Sequence, residues 1–398
     1  MNTDPSSGTD CVIVINCGSS SLKFAVLPVE GETILIKGLA ERLGGPEAVL
    51  KIERDGEDIR IPMPGATHRD ALQEAVGRMS GLRPLGIGHR MVHGGEEFTG
   101  SAVICDDMMA AVERCSSLAP LHNPANLVGV RTARELFPEL PQVAVFDTAF
   151  HQSIPPKAYL YAIPRRYYEE LKVRRYGFHG TSHHYVSLET ARLLGKPADQ
   201  TSLITMHLGN GCSACAIKNG RSMDSTMGLT PSEGLMMGTR SGDVDPALHQ
   251  FLQDQTGMRL SEITTMLNSK SGLLGLSGLS NDMRTLSEAA RGGHELARLA
   301  IEVFCYRLAK SVYGLMAALD SLDALVFTGG IGENSAEVRA LTTAHFKIAG
   351  LMLDELKNAS HGRNDSGVIS SPESRIPCMV VPTNEELMIA RETLRLIS

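Results

Sequence analysis

Cys11-Val-Ile-Val-Ile15, Asn16-Cys-Gly-Ser-Ser-Ser21 and Leu22-Lys-Phe-Ala-Val-Leu27 follow one another without a break near the N-terminus. An apolar run, a polar turn and a second apolar run read as strand, tight turn, strand. The same pattern returns downstream as Ser202–His207, Leu208-Gly-Asn-Gly211 and Cys212–Ile217, and Lys218-Asn-Gly-Arg221 then adds a hairpin turn signal. The two Gly-containing turns are separated by close to half the chain. This repetition predicts two related halves, each opening on a hairpin whose turn offers backbone N–H groups to an anion. A third unit, Asp323–Thr328 followed by Gly329-Gly-Ile-Gly-Glu-Asn334, reads as a strand and a Gly turn leading into a helix from Ser335.

Around these turns the pattern alternates between helix and strand, which is the signature of an α/β protein. Helices are expected at Asp106–Ser117, Pro124–Leu136, Ser182–Leu194, Pro246–Thr256, Ser261–Ser269, Glu288–Leu319 and Glu385–Leu396, the last capped by Asn384. Further strands are expected at Val103–Ile104, Gln142–Phe146 and Met379–Val381, and a surface loop at Ser360–Gly367. The length of 398 residues accommodates two or three domains. A net charge of −7 argues against a nucleic-acid surface, and no apolar run approaches the ~20 residues that span a bilayer. The polar stretch Met1–Asp10 does not resemble a secretory signal, so a cytoplasmic protein is expected. There is no Trp, and aromatics make up only 5%, which is poor equipment for stacking on bases.

The eight cysteines read as reduced, space-filling thiols. Cys212-Ser-Ala-Cys215 is formally C-x-x-C, but it lies in a strand-like run with no second pair to complete a zinc site. His68, His249, His294, His345 and His361 read as surface positions. His89, His93, His122, His151, His179 and His207 instead fall at the ends of apolar segments, beside Gly, Asn, Asp or Arg, where loops carry function. His183 and His184 are neighbours on a helix and point about 100° apart, so they are poor joint ligands for one metal.

Neither a G-x-x-x-x-G-K-[ST] loop nor a strand-linked dinucleotide fingerprint is present. Arg90 sits in Gly88-His-Arg-Met-Val-His-Gly-Gly95, between Gly-flanked turns, and Arg240 in Met236-Met-Gly-Thr-Arg-Ser-Gly-Asp243. Two arginines in Gly-rich loops suit a clamp on a planar anion. Asp147 ends an apolar strand, where α/β sheets commonly place their sites. Glu385 and Glu386 begin a helix, where ordinary dipole complementation also explains a carboxylate.

Taken together, the blocks INCGSSSLKF, GHRMVHGG, LAPLHNPANL, VFDTAFHQSIPPKAYLYAIP, RRYGFHGTSHHYV, the long run from His207 to Pro246, VFTGGIGENS and TNEEL resemble the acetate kinase family from about residue 11 to the C-terminus. The resemblance implies an α/β fold of two duplicated actin-like (ribonuclease H-like) ATPase domains with an active-site cleft between them. It implies a polar tail at 1–10, an N-terminal domain at 11–150 to which a helix at 386–398 returns, and a C-terminal domain at 151–385 with most nucleotide contacts. It implies reversible transfer of the ATP γ-phosphoryl group to acetate, with Mg²⁺ (or Mn²⁺) held by Asn16 and Glu385.

By the same resemblance, Ser19, Ser21 and Lys23 meet the phosphates. His207, Leu208, Gly209, Asn210 and Gly211, with Asp282, Met283 and Arg284 and with Gly330, Ile331, Gly332, Glu333 and Asn334, contact ATP. Arg90 and Arg240 bind the carboxylate and the moving phosphoryl group, His179 donates a hydrogen bond in the transition state, and Asp147 occupies the family's catalytic acidic position. His122 lies near the substrate, and Val92, Leu121, Phe178 and Pro231 close a small pocket on the methyl group. Acetate or acetyl phosphate and ATP or ADP are the implied partners, with neither nucleic acid nor membrane. A homodimer through the C-terminal domain is implied, with Glu288–Leu319 as a candidate contributor. Propionate or butyrate kinase shares these motifs, and an Hsp70-like or actin-like switch shares the fold but would need an added peptide-binding domain or polymer interface.

A carboxylate nucleophile is ionised at pH 7, since simple carboxylic acids have pKa values of roughly 4–5. It needs no general base, so Asp147 reads better as an orienter of Arg90, metal or water. Direct in-line transfer is favoured over a phospho-enzyme on Glu385, because a metal-bound carboxylate is a poor nucleophile.

Overall fold

A computed structural model describes residues 8–119 and 122–398. The chain divides into two compact units: one runs to Phe150 and takes back Asn384–Ser398, and the other is His151–Thr383.

The first unit is built on β1 (Thr9–Cys17), β2 (Leu22–Pro28), β3 (Ile36–Glu41), β4 (Val49–Arg54), β5 (Glu57–Pro62), β6 (Leu82–Met91), β7 (Ala102–Val103) and β8 (Gln142–Phe146). Their order in the sheet is β5-β4-β3-β2-β1-β6-β8-β7. β1 pairs antiparallel with β2 and parallel with β6, and β6 pairs parallel with β8. Cys11–Ile15 of β1 are all buried, as expected of a central strand covered on both faces. Helices α1 (His68–Val76), α2 (Asp106–Arg114) and α3 (Asn123–Leu136) supply cover, and Thr67 and Asp70 form a capping box at the start of α1. The core gathers Ile13, Ile15, Phe24, Leu50 and Ile87 with Leu72 and Ala75 of α1.

The C-terminal helix, Glu385–Ile397, packs on β1, β6 and β8. Asn384 caps it by accepting the Leu387 N–H at 3.0 Å. Its approach depends on glycine: a Cβ on Gly88 would lie 2.4 Å from Thr393 Oγ1 and 2.6 Å from Ile389 Cγ2.

The second unit holds β9 (Ser202–Leu208), β10 (Cys212–Lys218), β11 (Arg221–Ser225), β12 (Ala324–Thr328) and β13 (Cys378–Val380), in the order β11-β10-β9-β12-β13. β9–β10 and β10–β11 are antiparallel, whereas β12 pairs parallel with both β9 and β13. The order and directions of β3-β2-β1-β6-β8 in the first unit are the same, so the repeated hairpin seen in the sequence is a repeated sheet. Asn219 and Gly220, with φ of 54° and 71°, make the tight turn between β10 and β11. Its main helices are α4 (Gly180–Leu193), α5 (Leu248–Thr256), α6 (Leu260–Ser269), α7 (Met283–Arg291), α8 (Glu295–Met316), α9 (Gly329–Asn334) and α10 (Ala336–Thr343), with shorter helical turns at Pro156–Tyr159, Arg166–Leu171, Gly272–Ser277 and Glu355–Ala359.

Several expectations are corrected. The single helix expected over Glu288–Leu319 is two, α7 and α8, broken at Gly292-Gly293, where Gly293 has φ +92°. The Gly329–Asn334 turn is itself a short helix, and Ser335 caps the next one through Val338 N–H. β1 begins at Thr9, inside the expected tail, and Arg83 pairs with Asp10. Arg90 is on a strand, β6, rather than in a loop. No helix among the described residues is long and apolar enough to cross a membrane.

Gly88→Val is expected to cost about 1–3 kcal/mol by overpacking. Calorimetry should show the melting temperature falling; an unchanged value would contradict the close seating of the C-terminal helix on β6.

Candidate active site

In the first unit the chemistry collects where the parallel strands end. β6 and β8 run side by side, with Arg90 opposite Val145 and Met91 opposite Phe146. The next residue is Asp147, whose N–H donates to Met91 O at 2.9 Å. This register brings Arg90 onto Asp147 in a two-pronged contact: Nε donates to Oδ1 at 3.1 Å and Nη2 to Oδ2 at 2.7 Å. Glu385 Oε2 lies 3.7 Å from Arg90 Nε. Burial would depress the Arg90 guanidinium, but Asp147 and Glu385 outweigh it and raise its pKa. Burial pushes the Glu385 carboxyl above its ordinary range, and Asp147 and Glu386 add to this against the pull of Arg90 and Lys23. Lys23 bonds Glu386 at 3.1 Å; burial works to raise the Glu386 pKa, but the charge of Lys23, the hydrogen bonds to the carboxylate and Lys37 together lower it.

The turn between β1 and β2 closes with Gly18 N–H on Ser21 O at 2.9 Å. Two side chains from elsewhere hold it. His68 Nε2 donates to Gly18 O at 2.8 Å, and Asn126 Nδ2 donates to Cys17 O at 2.7 Å. The Asn126 Oδ1 accepts the Val92 N–H at 3.0 Å, so one amide ties the turn to the segment after β6.

In the second unit, His179 stands just before α4 in the left-handed region, with φ 56° and ψ 25°. Its Nδ1 lies 2.9 Å from Ser213 Oγ, and its ring is 4.3 Å from that of His207. Gly211 lies against both groups: a Cβ built there would sit 3.4 Å from Arg240 Nη1 and 3.5 Å from His179 Nε2, in ordinary van der Waals contact. Arg240 Nη1 donates to Pro231 O at 2.9 Å. No carboxylate among the described residues pairs with Arg240, and burial lowers its pKa. A cation with spare donors and no protein counter-charge is equipped to take an anionic ligand.

Beside these groups, Gly209, Asn210, Asp282, Met283, Arg284, Gly330, Ile331 and Asn334 line one cavity of about 830 Å³. Asn281 Nδ2 donates to Asn210 Oδ1 at 2.9 Å and joins two of its walls. The volume lies within the ~300–1,000 Å³ of small-molecule sites.

The Acetokinase family's sequence model matches residues 11–391. A curated acetate kinase of Stutzerimonas stutzeri is 55% identical over 390 residues, covering 97% of this chain and 98% of that protein. The chain belongs to the acetokinase family. Among solved structures, a propionate kinase from Francisella tularensis is 43% identical with a TM-score of 0.92, covering 97% of this chain and 99% of its own. The Porphyromonas gingivalis acetate kinase is 42% identical with a TM-score of 0.91, covering 98% and 100%. The fold is therefore the two-sheet, actin-like α/β fold of the acetokinases.

Residues of the three segments that the sequence resemblance assigns to ATP thus line one cavity. Within them Gly332 and Glu333 do not line it: Glu333 Oε1 instead accepts Gly329 N–H at 2.9 Å and Thr383 N–H at 3.0 Å, locking the strand ends. Asp282 lines it while capping α7 through Thr285 N–H at 2.9 Å. Leu208 ends β9 and is buried; His207 bonds Ser182 Oγ at 2.8 Å. Asn16 and Lys23 face each other as β1–β2 partners, while Ser19 is exposed and Ser21 half-buried. Val92 is half-buried, Phe178 buried and Pro231 half-buried; His122 precedes α3, and Leu121 lies outside the described residues. Cys212 and Cys215 are buried and their thiols pushed up to about 12 by burial, so they do not serve as thiolates. Among the described residues, no cluster of His, Cys, Asp and Glu forms a metal site by itself.

Sequence reading missed His68, which is a turn anchor rather than a solvated surface group, and Asn126, Ser213 and Asn281. His361, also read as surface, bonds the buried Arg339 at 2.9 Å, and His294 caps α8 through Ala297 N–H.

His89 and His93 are pushed down to about 4 by burial, and His89 Nε2 lies 2.9 Å from Gln142 Oε1. Their unfolded values are near 6.5. Between these values the unfolded chain binds more protons, so stability present above pH 6.5 is lost as pH falls toward 4. Melting temperatures across that window should decline less steeply in His89→Gln than in the parent; identical slopes would contradict the assignment.

Proposed function

We propose that this chain is an acetate kinase, transferring the γ-phosphoryl group of ATP to acetate to give acetyl phosphate and ADP, reversibly. The observation that carries the reading is 55% identity to a curated acetate kinase along nearly the whole of both chains. The chemistry fits it. Acetate is already ionised, so its oxygen attacks the γ-phosphorus unaided, the new O–P bond forms, and the bridging O–P bond breaks with its electron pair leaving on ADP. The task left to the protein is to bring anions together and stabilise spreading charge.

In this reading Arg90 and Arg240 bind the acetate carboxylate and the phosphoryl group, with Asp147 holding the Arg90 fork rather than removing a proton. His179 donates a hydrogen bond to the phosphoryl oxygens. Val92, Leu121, Phe178 and Pro231 pack the methyl group, and His122 stands near it. ATP occupies the cavity bordered by Gly209, Asp282 and Gly330, with Ser19, Ser21 and Lys23 toward its phosphates. Asn16 and Glu385 would hold Mg²⁺, or Mn²⁺, together with water and phosphate oxygens. They offer the oxygen ligands a hard cation prefers, and Asp147 and Glu386 beside the buried Glu385 add negative charge that a cation would offset. When bound, the metal neutralises charge on the β- and γ-phosphates.

A cytoplasmic location is part of the reading and is supported by cysteines that are all free and mostly buried. A homodimer is also part of it, supported by the exposed Leu296, Leu299 and Tyr306 on α8. Propionate kinase is the second reading, favoured by the likeness to the Francisella tularensis enzyme.

Trapping the acyl phosphate with hydroxylamine separates these readings. ATP-dependent hydroxamate is expected from acetate, with kcat/KM dropping about 10–200-fold for one added methylene. No product from acetate, or a preference for propionate, would overturn the assignment.

A further inference from the structure

Behind His179 lies a chain of polar groups buried in the second unit. His179 Nδ1 is 2.9 Å from Ser213 Oγ, Ser213 Oγ is 2.8 Å from His183 Nε2, and His183 Nδ1 is 2.7 Å from Thr205 Oγ1. Ser213, His183 and Thr205 are completely buried. The geometry follows from periodicity. Thr205 and His207 alternate onto one face of β9, Ser213 sits opposite His207 on β10, and His179 and His183 are one helical turn apart at the start of α4.

Each link has one hydrogen to place. Among the described residues the Thr205 hydroxyl has a single partner, His183 Nδ1. A buried hydroxyl proton left without an acceptor is costly, so Thr205 donates and His183 Nδ1 accepts. The proton of a neutral His183 is then on Nε2, where it donates to Ser213 Oγ. The Ser213 hydroxyl, its oxygen receiving that bond, turns its own proton to His179 Nδ1. His179 Nδ1 is therefore an acceptor, and the His179 proton resides on Nε2, the atom beside Gly211 and Arg240. The reverse direction would end on Thr205 with an orphaned hydroxyl proton. A positively charged His183 would also direct Ser213 toward His179, and burial holds the His183 pKa well below its ordinary value in any case.

We propose that Thr205, through His183 and Ser213, is a positioning residue that fixes His179 as the neutral Nε2–H tautomer, so that it serves the reaction as a hydrogen-bond donor and not as an acid. This rests on the reading above that His179 donates to the phosphoryl group, but the tautomer itself is measured without substrate.

The test is ¹⁵N NMR of the full-length protein labelled at histidine nitrogens, with the His179 signals identified by their loss in His179→Asn. The expected spectrum at neutral pH has His179 Nδ1 unprotonated and Nε2 protonated. In Thr205→Val, which keeps the shape and removes the hydroxyl, the two nitrogens should move toward averaged shifts, and kcat should fall by up to about tenfold with little change in KM. Thr205→Ser should restore both. A protonated Nδ1 in the parent protein would overturn the proposal whether or not the variants fold, and so would an unchanged tautomer in a folded Thr205→Val. Failure of acetate phosphorylation with the tautomer intact would refute only the functional reading.

Discussion

Asp147 holds the Arg90 guanidinium by two parallel hydrogen bonds, and this fixed fork is what the proposed anion binding at Arg90 depends on. A half-buried arginine without that partner would be costly to keep and free to swing. The pair is a consequence of sheet register. β6 and β8 are parallel neighbours, and the residue after the last rung of β8 falls beside Arg90. Moving either strand by one residue would turn one of the two side chains to the opposite face. The glycine that admits the C-terminal helix to β6 matters for the same reason, since that helix begins with Glu385, the second carboxylate near Arg90.

The second unit repeats the sheet and uses it differently. The ends of β9 and β12 give rise to turns that border the 830 Å³ cavity. Among the described residues Arg240 bonds a carbonyl and pairs with no carboxylate, in contrast to Arg90 with its matched Asp147. One arginine is thus preoriented and the other is left short of negative charge. A net charge of −7 hides both arrangements, because they are local. Phosphoryl transfer between two anions asks for such local concentration, and acetate, which offers only a methyl group to pack, makes few demands on aromatic surface.

Much of this was legible in the chain. The hairpins, the Gly turns and Gln142–Phe146 announce themselves through apolar runs that stop abruptly at polar or glycine residues. β3, β4 and β5 were less legible: Gly38 leaves a gap in β3 and β5 buries no residue fully, although Leu50-Lys-Ile-Glu53 of β4 does alternate between buried and exposed. The helix over Glu288–Leu319 was drawn too long because apolar spacing continues on both sides of Gly292-Gly293. His68 passed as a surface residue because its partner, Gly18, is distant in sequence and presents only a backbone carbonyl. Ser213 and Thr205 carry no sequence signal at all: a hydroxyl in a strand acquires meaning only from what packs over it. Motifs identify groups that touch ligand, whereas the groups that hold those groups are fixed by tertiary contacts.

In the proposed reaction Asp147 orients Arg90 and removes no proton. The direct measurement is the pH dependence of kcat/KM for acetate in Asp147→Asn beside the parent enzyme, between pH 5.5 and 9. The account predicts a large drop at every pH with the shape of the profile preserved, since the nucleophile needs no base and the loss lies in the Arg90 fork. An ionisation limb present in the parent and absent in the variant would contradict it, because that limb would mark Asp147 as the base.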